Sequence, residues 1–234
     1  MKTMTAVLLT LAFLVPFSAH ALEVSVQVGG GSMIIPAKGY DPFSQDDNFA
    51  IGSLAVGARP FGRGPLKGLG FEIGYAGGSA ADRAWGVFDT SLTLNVFDFG
   101  ASYRYGRLDW FAPYARLLGS VAWADVSVKN NVYGNLDDSA AVFGGTAVIG
   151  FELVTPRAWM HGDDDDGSWW KPDNFGVYVE AGYGQYGPLT FSRASAPPIT
   201  LDDVHKTEQP VAGPALGRLS LSGPTIRAGF VANF

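Results

Sequence analysis

Few residues of this chain could carry acid–base or metal chemistry, and their placement argues against both. The three histidines are His20, His161 and His205. A hydrolase or acyltransferase would need a histidine beside an activated serine. His20 lies in the leader, His161 falls in an irregular segment, and His205 has no serine partner at a strand end. The run Asp163-Asp164-Asp165-Asp166-Gly167 invites a calcium loop. With Gly167 at the sixth position, Asp164, Asp166 and Asp173 take the third, fifth and twelfth. Gly162 then stands where a carboxylate must open the loop, so the run reads as a solvated acidic turn. No catalytic, cofactor-binding or metal-ligating residue is expected, and the chain is not read as an enzyme.

The remaining chemistry is charge pairing. Glu23, Glu72, Glu152 and Glu180, four of the five glutamates, share their segments with Arg59, Arg104, Arg116 and Arg227. Those segments alternate with period two, the signature of strands. Leu22, Val24, Val26 and Val28 face one way and Glu23, Ser25 and Gln27 the other. A second strand spans Phe49–Arg59. A third sets Leu69, Phe71, Ile73 and Tyr75 against Glu72, and a fourth sets Phe97, Phe99 and Ala101 against Asp98 and Arg104. Strands five to eight centre on Arg116, Glu152, Glu180 and Arg227. In the fourth, Leu92-Thr93-Leu94-Asn95-Val96 has the opposite parity, which predicts a bulge near Val96–Phe97.

Eight such segments make an even count, as a closed up-and-down barrel requires. Their connections run long and short by turns. Met33–Asn48, Ala76–Phe88, Ser127–Ser139 and Gly187–Arg218 are long, Pro60–Gly68 and Gly106–Trp110 short. Thr155–Asn174 breaks the rhythm by being long where a short turn is due.

The leader fixes the compartment. Lys2, the apolar run from Ala6 to Phe17, and Ala19-His20-Ala21 form a cleavable export signal over residues 1–21, leaving one domain over 22–234. The rest of the chain has no apolar stretch of about 18 residues, hence no membrane helix. The full sequence is 47% hydrophobic and 16% charged with no cysteine, so no disulfide supports the fold. A net charge of −6 argues against nucleic acid as a partner.

A water-soluble barrel would show the same alternation with an apolar interior. Charge chemistry decides for the inverse. All six lysines fall in the leader, loops or turns, while glutamate, arginine and glycine share the strands. A narrow interior needs small residues for room and a partner for every buried charge, and arginine's bidentate fork suits that pairing. The other face is apolar enough for hydrocarbon. Aromatic rings near segment ends, Tyr103, Tyr105, Trp110, Trp123, Tyr183 and Tyr186 among them, would form two interfacial girdles. Trp159, Trp169 and Trp170 beside the acidic run would rest against the same interface.

The last strand carries a specific signature. Arg227-Ala228-Gly229-Phe230-Val231-Ala232-Asn233-Phe234 resembles the C-terminal motif of bacterial outer-membrane barrels, with Arg227, Gly229, Ala232 and Phe234 at its four places. The stretch from Leu22 to Phe234 resembles, in pattern and architecture, the small-barrel group around the OmpA transmembrane domain and OmpX. That resemblance implies recognition of the last strand by the barrel-assembly machinery, outer-membrane lipid as surroundings, and a monomer. The expected fold is therefore an all-β, eight-stranded antiparallel up-and-down transmembrane barrel. The expected role is structural or one of surface interaction through the loops, above all Gly187–Arg218, with an unidentified partner. Glu23, Glu72, Glu152, Glu180, Arg59, Arg104, Arg116 and Arg227 would plug the lumen. A narrow pore or small-ligand transporter is the alternative, and a lipid-modifying enzyme a more distant one.

Overall fold

The computed structural model describes residues 22–36, 40–44, 46–61, 66–84, 88–105, 110–130, 134–156, 172–191 and 218–234. Residues 1–21, expected as a leader, and Trp85, Trp159, Trp169, Trp170, His161, His205 and the aspartate run lie outside them. Within them the chain forms β1 (Glu23–Ile34), β2 (Asn48–Arg59), β3 (Leu69–Ala84), β4 (Phe88–Arg104), β5 (Phe111–Asn130), β6 (Gly134–Val154), β7 (Asn174–Tyr186), β8 (Pro188–Thr190), β9 (Arg218–Ser220) and β10 (Gly223–Asn233). Eight of these close into a barrel in the order β1-β10-β7-β6-β5-β4-β3-β2. All the pairings are antiparallel, and β8 and β9 form a separate two-stranded ribbon.

The ring closes where the first strand meets the last. Ser25 to Met33 pair with Asn233 to Thr225. Val24 and Phe234 exchange backbone hydrogen bonds of 3.0 and 2.8 Å. A closed ring leaves no barrel edge, and so satisfies the backbone without water.

The barrel is lopsided. β3 to β6 hold 16, 17, 20 and 21 residues, against 11 to 13 in β1, β2, β7 and β10. Two segments expected as long loops are therefore largely strand. Asp82 pairs with Thr90 across the β3–β4 hairpin, and Ser127 pairs with Asp137 across the β5–β6 hairpin. Lys129, expected in a loop, is exposed at the outer end of β5.

The bulge expected near Val96–Phe97 is absent. β4 pairs without a slip from Phe88 to Tyr103 with β3, and from Asp89 to Arg104 with β5. Leu92, Leu94 and Val96 point inward on the same face as Asp98 and Ser102. The parity of the residues does not change; the character of the interior does. Below Val96 the inward face is polar and the outward face apolar. Above it the inward face is apolar, and the outward one carries Asn95, Thr93, Ser91 and Asp89.

Gly68 fixes the base of this arrangement. Its φ of 91° suits glycine, and a Cβ there would strike the Arg104 carbonyl. In that turn the Gly68 carbonyl accepts the Arg104 N–H at 2.8 Å, which holds Arg104 at the lower mouth of the barrel.

Candidate functional site

The barrel interior is the most organised chemistry in the described chain, and it is stacked in three levels. The lowest gathers Glu23, Arg59, Arg104 and Glu152. Glu23 Oε1 accepts from Arg104 Nη1 at 2.6 Å and from Arg59 Nη1 at 3.1 Å. Arg104 Nε lies 2.9 Å from Glu152 Oε2 with its N–H turned off the oxygen, and Arg59 Nη2 lies 4.0 Å from Glu152 Oε1. Glu152 is fully buried, whereas Glu23 is about a third exposed at 36%.

The middle level is centred on Arg116. Its guanidinium is paired with Glu72 and Glu180. Tyr114 Oη donates to Glu180 at 2.7 Å, and Ser120 Oγ donates to Asp98 at 2.5 Å. Arg227 Nη1 lies 3.8 Å from Glu180 and 4.0 Å from Asp98, attracted to both without a direct hydrogen bond. Gln27 joins the two levels, donating to Glu152 and accepting from Arg116, each at 3.2 Å. Buried charges cost several kcal/mol apiece unless paired and hydrogen-bonded, which is why every arginine here faces a carboxylate. A cavity of about 10 Å³ remains beside Gln27, Asp98 and Arg227, room for roughly one water molecule.

The top level is apolar. Met33, Phe49, Ile51, Leu92, Leu94 and Val126 pack inside the outer half of the barrel. Two loop segments fold onto them. Tyr40 and Phe43 come from the β1–β2 connection, and Leu189, Leu219 and Leu221 from the β8–β9 ribbon and its exit. Tyr40 Oη donates to the Asn48 carbonyl at 3.2 Å, and burial raises its phenol above the ordinary range. Thr90 Oγ1 donates to the Pro42 carbonyl.

The outward surface is the reverse of a soluble protein's. Phe143, Phe230 and Leu117 are 79%, 73% and 71% exposed, in a belt shared with Ile149, Phe71 and Ile226. Trp110 is exposed at the lower rim, its ring 5.7 Å from that of Phe111, and Trp123 faces outward at the upper end of the belt. Tyr186, expected in a girdle, points inward and is buried. Above the belt the outward surface is acidic, with Asp89, Asp125 and Asp137 exposed beside Arg83 and Lys129.

All eight glutamates and arginines singled out in the sequence thus face the interior, and each has an ionic partner. Sequence reasoning left Asp98, Gln27 and Tyr114 out of that network. Asp98 was findable, since it shares its parity with Arg104. Of the C-terminal motif, Phe234 pairs with Val24, Arg227 and Gly229 face the lumen, and Ala232 lies on the outward side. Among the described residues no group of acidic or histidine side chains could hold a metal ion.

A closed ring of eight antiparallel strands with charges inside and an apolar belt outside is the fold of the small outer-membrane barrels. No protein-family model matches the sequence, and no curated protein matches it. Solved structures match in fold. Ail, the attachment invasion locus protein of Yersinia pestis, solved in complex with the heparin analogue sucrose octasulfate, is 13% identical over 92% of this chain and 100% of its own, with a TM-score of 0.50. The N-terminal barrel domain of Pseudomonas aeruginosa OprF and Neisserial surface protein A are each 11% identical. Each alignment covers 91% of this chain and 97% of the other, with TM-scores of 0.44 and 0.43.

Proposed function

We propose that the chain is an integral barrel of the bacterial outer membrane, exported by residues 1–21, non-catalytic and non-conducting, with a surface-interaction role exercised by its outer loops. One observation carries the membrane reading. The exposed belt of Phe71, Leu117, Phe143, Ile149, Ile226 and Phe230 has no protein cover, and a contiguous apolar surface of that kind belongs in hydrocarbon. The ionic interior beneath the same strands supports it. A water-soluble barrel would reverse the two faces.

The lumen reads as closed. An eight-stranded interior is just wide enough for side chains to fill, and here two ionic levels lie under an apolar one. That stacking favours a plug over the narrow-pore alternative. With the lumen occupied, function moves to the loops, where binding residues concentrate on a rigid scaffold. The connection between β8 and β9 is the best candidate, because Leu189 and Leu219 anchor its two ends in the apolar level.

The partner is not expected to be a polyanion. Ail was solved with a heparin analogue, but the described outer surface of this chain carries Asp41, Asp46, Asp47, Asp89, Asp125 and Asp137 exposed against Arg83 and Lys129. Membrane fractionation with heat-modifiable gel migration tests the first part of the reading, and a chain recovered from the soluble periplasm would overturn it. Retention on immobilised heparin at physiological salt would overturn the loop-charge argument alone.

A further inference from the structure

Three buried tyrosines of the lumen lie across glycines of neighbouring strands, and one of them crosses the junction that closes the ring. Tyr114 pairs with Gly150, Tyr178 with Gly229, and Tyr186 with Gly144. A Cβ on any of these glycines would run into the ring beside it. The Tyr178 row continues further than the others. Gly229 of β10 pairs with Gly29 of β1, and Gly29 pairs with Ser53 of β2. Tyr178 therefore starts on β7, passes over two consecutive glycines and ends with its hydroxyl 3.4 Å from Ser53 Oγ. Strands lie about 4.8 Å apart, so a side chain can bridge that row only when both intervening positions lack a Cβ. A Cβ on Gly29 would meet the Tyr178 hydroxyl, and one on Gly229 would lie 2.8 Å from its ring. The ring is buried with Val154 and Val231.

We infer that Tyr178 is the clasp of the closing seam: it holds β10 against β1 from the inside and acts on the last step of barrel formation. Every other pairing in the ring joins strands that follow one another around the barrel, with only the β8–β9 ribbon between β7 and β10, whereas β1 and β10 are its two ends. Contacts between distant segments form late, because the entropy of bringing them together comes first. Tyr178 is carried by the strand beside β10, so it is in place before β1 arrives and supplies a surface for Gly29 and Ser53 to dock on. Tyr114 makes a comparable tyrosine–glycine contact inside the β5–β6 hairpin, which forms locally. The inference goes beyond the surface role and does not depend on it.

The chain has no cysteine, so engineered pairs report strand pairing directly. Val26→Cys with Ala232→Cys reads the seam, and Leu117→Cys with Ala147→Cys reads the β5–β6 pairing, both being register partners. Refolding from urea into short-chain phosphatidylcholine vesicles, with cross-linking sampled over time, gives two rates. Tyr178→Ala should slow the seam cross-link about tenfold, as expected for a contact present in the closing transition state, and leave the β5–β6 rate unchanged. Tyr178→Phe should slow the seam less than Tyr178→Ala, since the ring still covers Gly229 while the hydroxyl over Gly29 and beside Ser53 is lost. Tyr114→Ala should not single out the seam. If Tyr178→Ala fails to fold, Tyr178→Leu keeps apolar bulk without the reach and is read in the same way. An unchanged seam rate, or equal slowing of both cross-links, overturns the inference.

Discussion

Val96 and Asp98 lie on the same inward face of β4, two residues apart, and the interior of the barrel turns from apolar to charged between them. The outward face turns the other way over the same interval, from Asn95 to Phe97 and Phe99. The boundary of the apolar belt is thus written in one strand. Above it, Leu94 sits in an ordinary protein core. Leu94→Ala should leave a cavity and cost about 2–5 kcal/mol, read as a lower urea midpoint. Leu117→Ala, on the exposed belt, should cost less than about 1 kcal/mol in detergent, where no core surrounds it. Equal losses would mean that the upper interior is not packed as described.

Glu152 is fully buried and faces both Arg59 and Arg104. Removing its charge leaves two guanidiniums to share Glu23, which is partly exposed. Glu152→Gln should destabilise the barrel by about 3–5 kcal/mol, the range for breaking a buried pair. Glu23→Gln should cost only about 1 kcal/mol, because water screens that mouth. Urea titration of the two variants followed by tryptophan fluorescence checks the order, and a larger loss at Glu23 would contradict the assignment.

Most of this interior was legible because period two assigns each residue to a face once one face is known. Glu72, Arg116, Glu180 and Arg227 followed from that rule alone. The rule misled where the environment changes along a strand. Leu92, Leu94 and Val96 mimic a register slip to any reading in which apolar residues point outward everywhere. Where strands project past the apolar belt, the apolar face is the inner one, so an inversion of pattern marks that boundary and not a bulge. The same assumption turned the ends of β3 to β6 into loops. Tyr186 is ambiguous for a simpler reason: a tyrosine near a strand end suits a girdle or a lumen, and only its place opposite Gly144 decides. The three-level stacking was not legible, because it depends on which loop residues fold back over the mouth.

Arg116 holds the middle ionic level together, yet its loss should not open a pore. The apolar level of Phe49, Leu94 and their neighbours lies above it and is untouched. Arg116→Ala should lower stability by about 3–5 kcal/mol while planar bilayers containing the purified protein stay free of stable conductance. Conductance in Arg116→Ala but not in the parent would make the ion pairs, and not the apolar level, the barrier to water and ions. Stable conductance in the parent itself would return the narrow-pore reading.

Arg227 and Phe234 share the last strand but should fail in different ways. Phe234 closes the seam through two backbone bonds to Val24 and stands at the aromatic place of the C-terminal pattern proposed to direct assembly. Arg227 points into the lumen toward Glu180 and Asp98 at 3.8 and 4.0 Å. Deleting Phe234 should reduce the amount of folded barrel recovered from outer membranes, with unfolded chain accumulating or degraded. Arg227→Ala should reach the membrane in near-normal amount and lose about 3 kcal/mol of stability, toward the low end for a buried pair because its contacts are long. Quantifying the heat-modifiable band in membrane fractions separates the two. If both variants are lost from the membrane while the purified proteins keep full stability, the lumen role of Arg227 is wrong and the strand serves targeting alone.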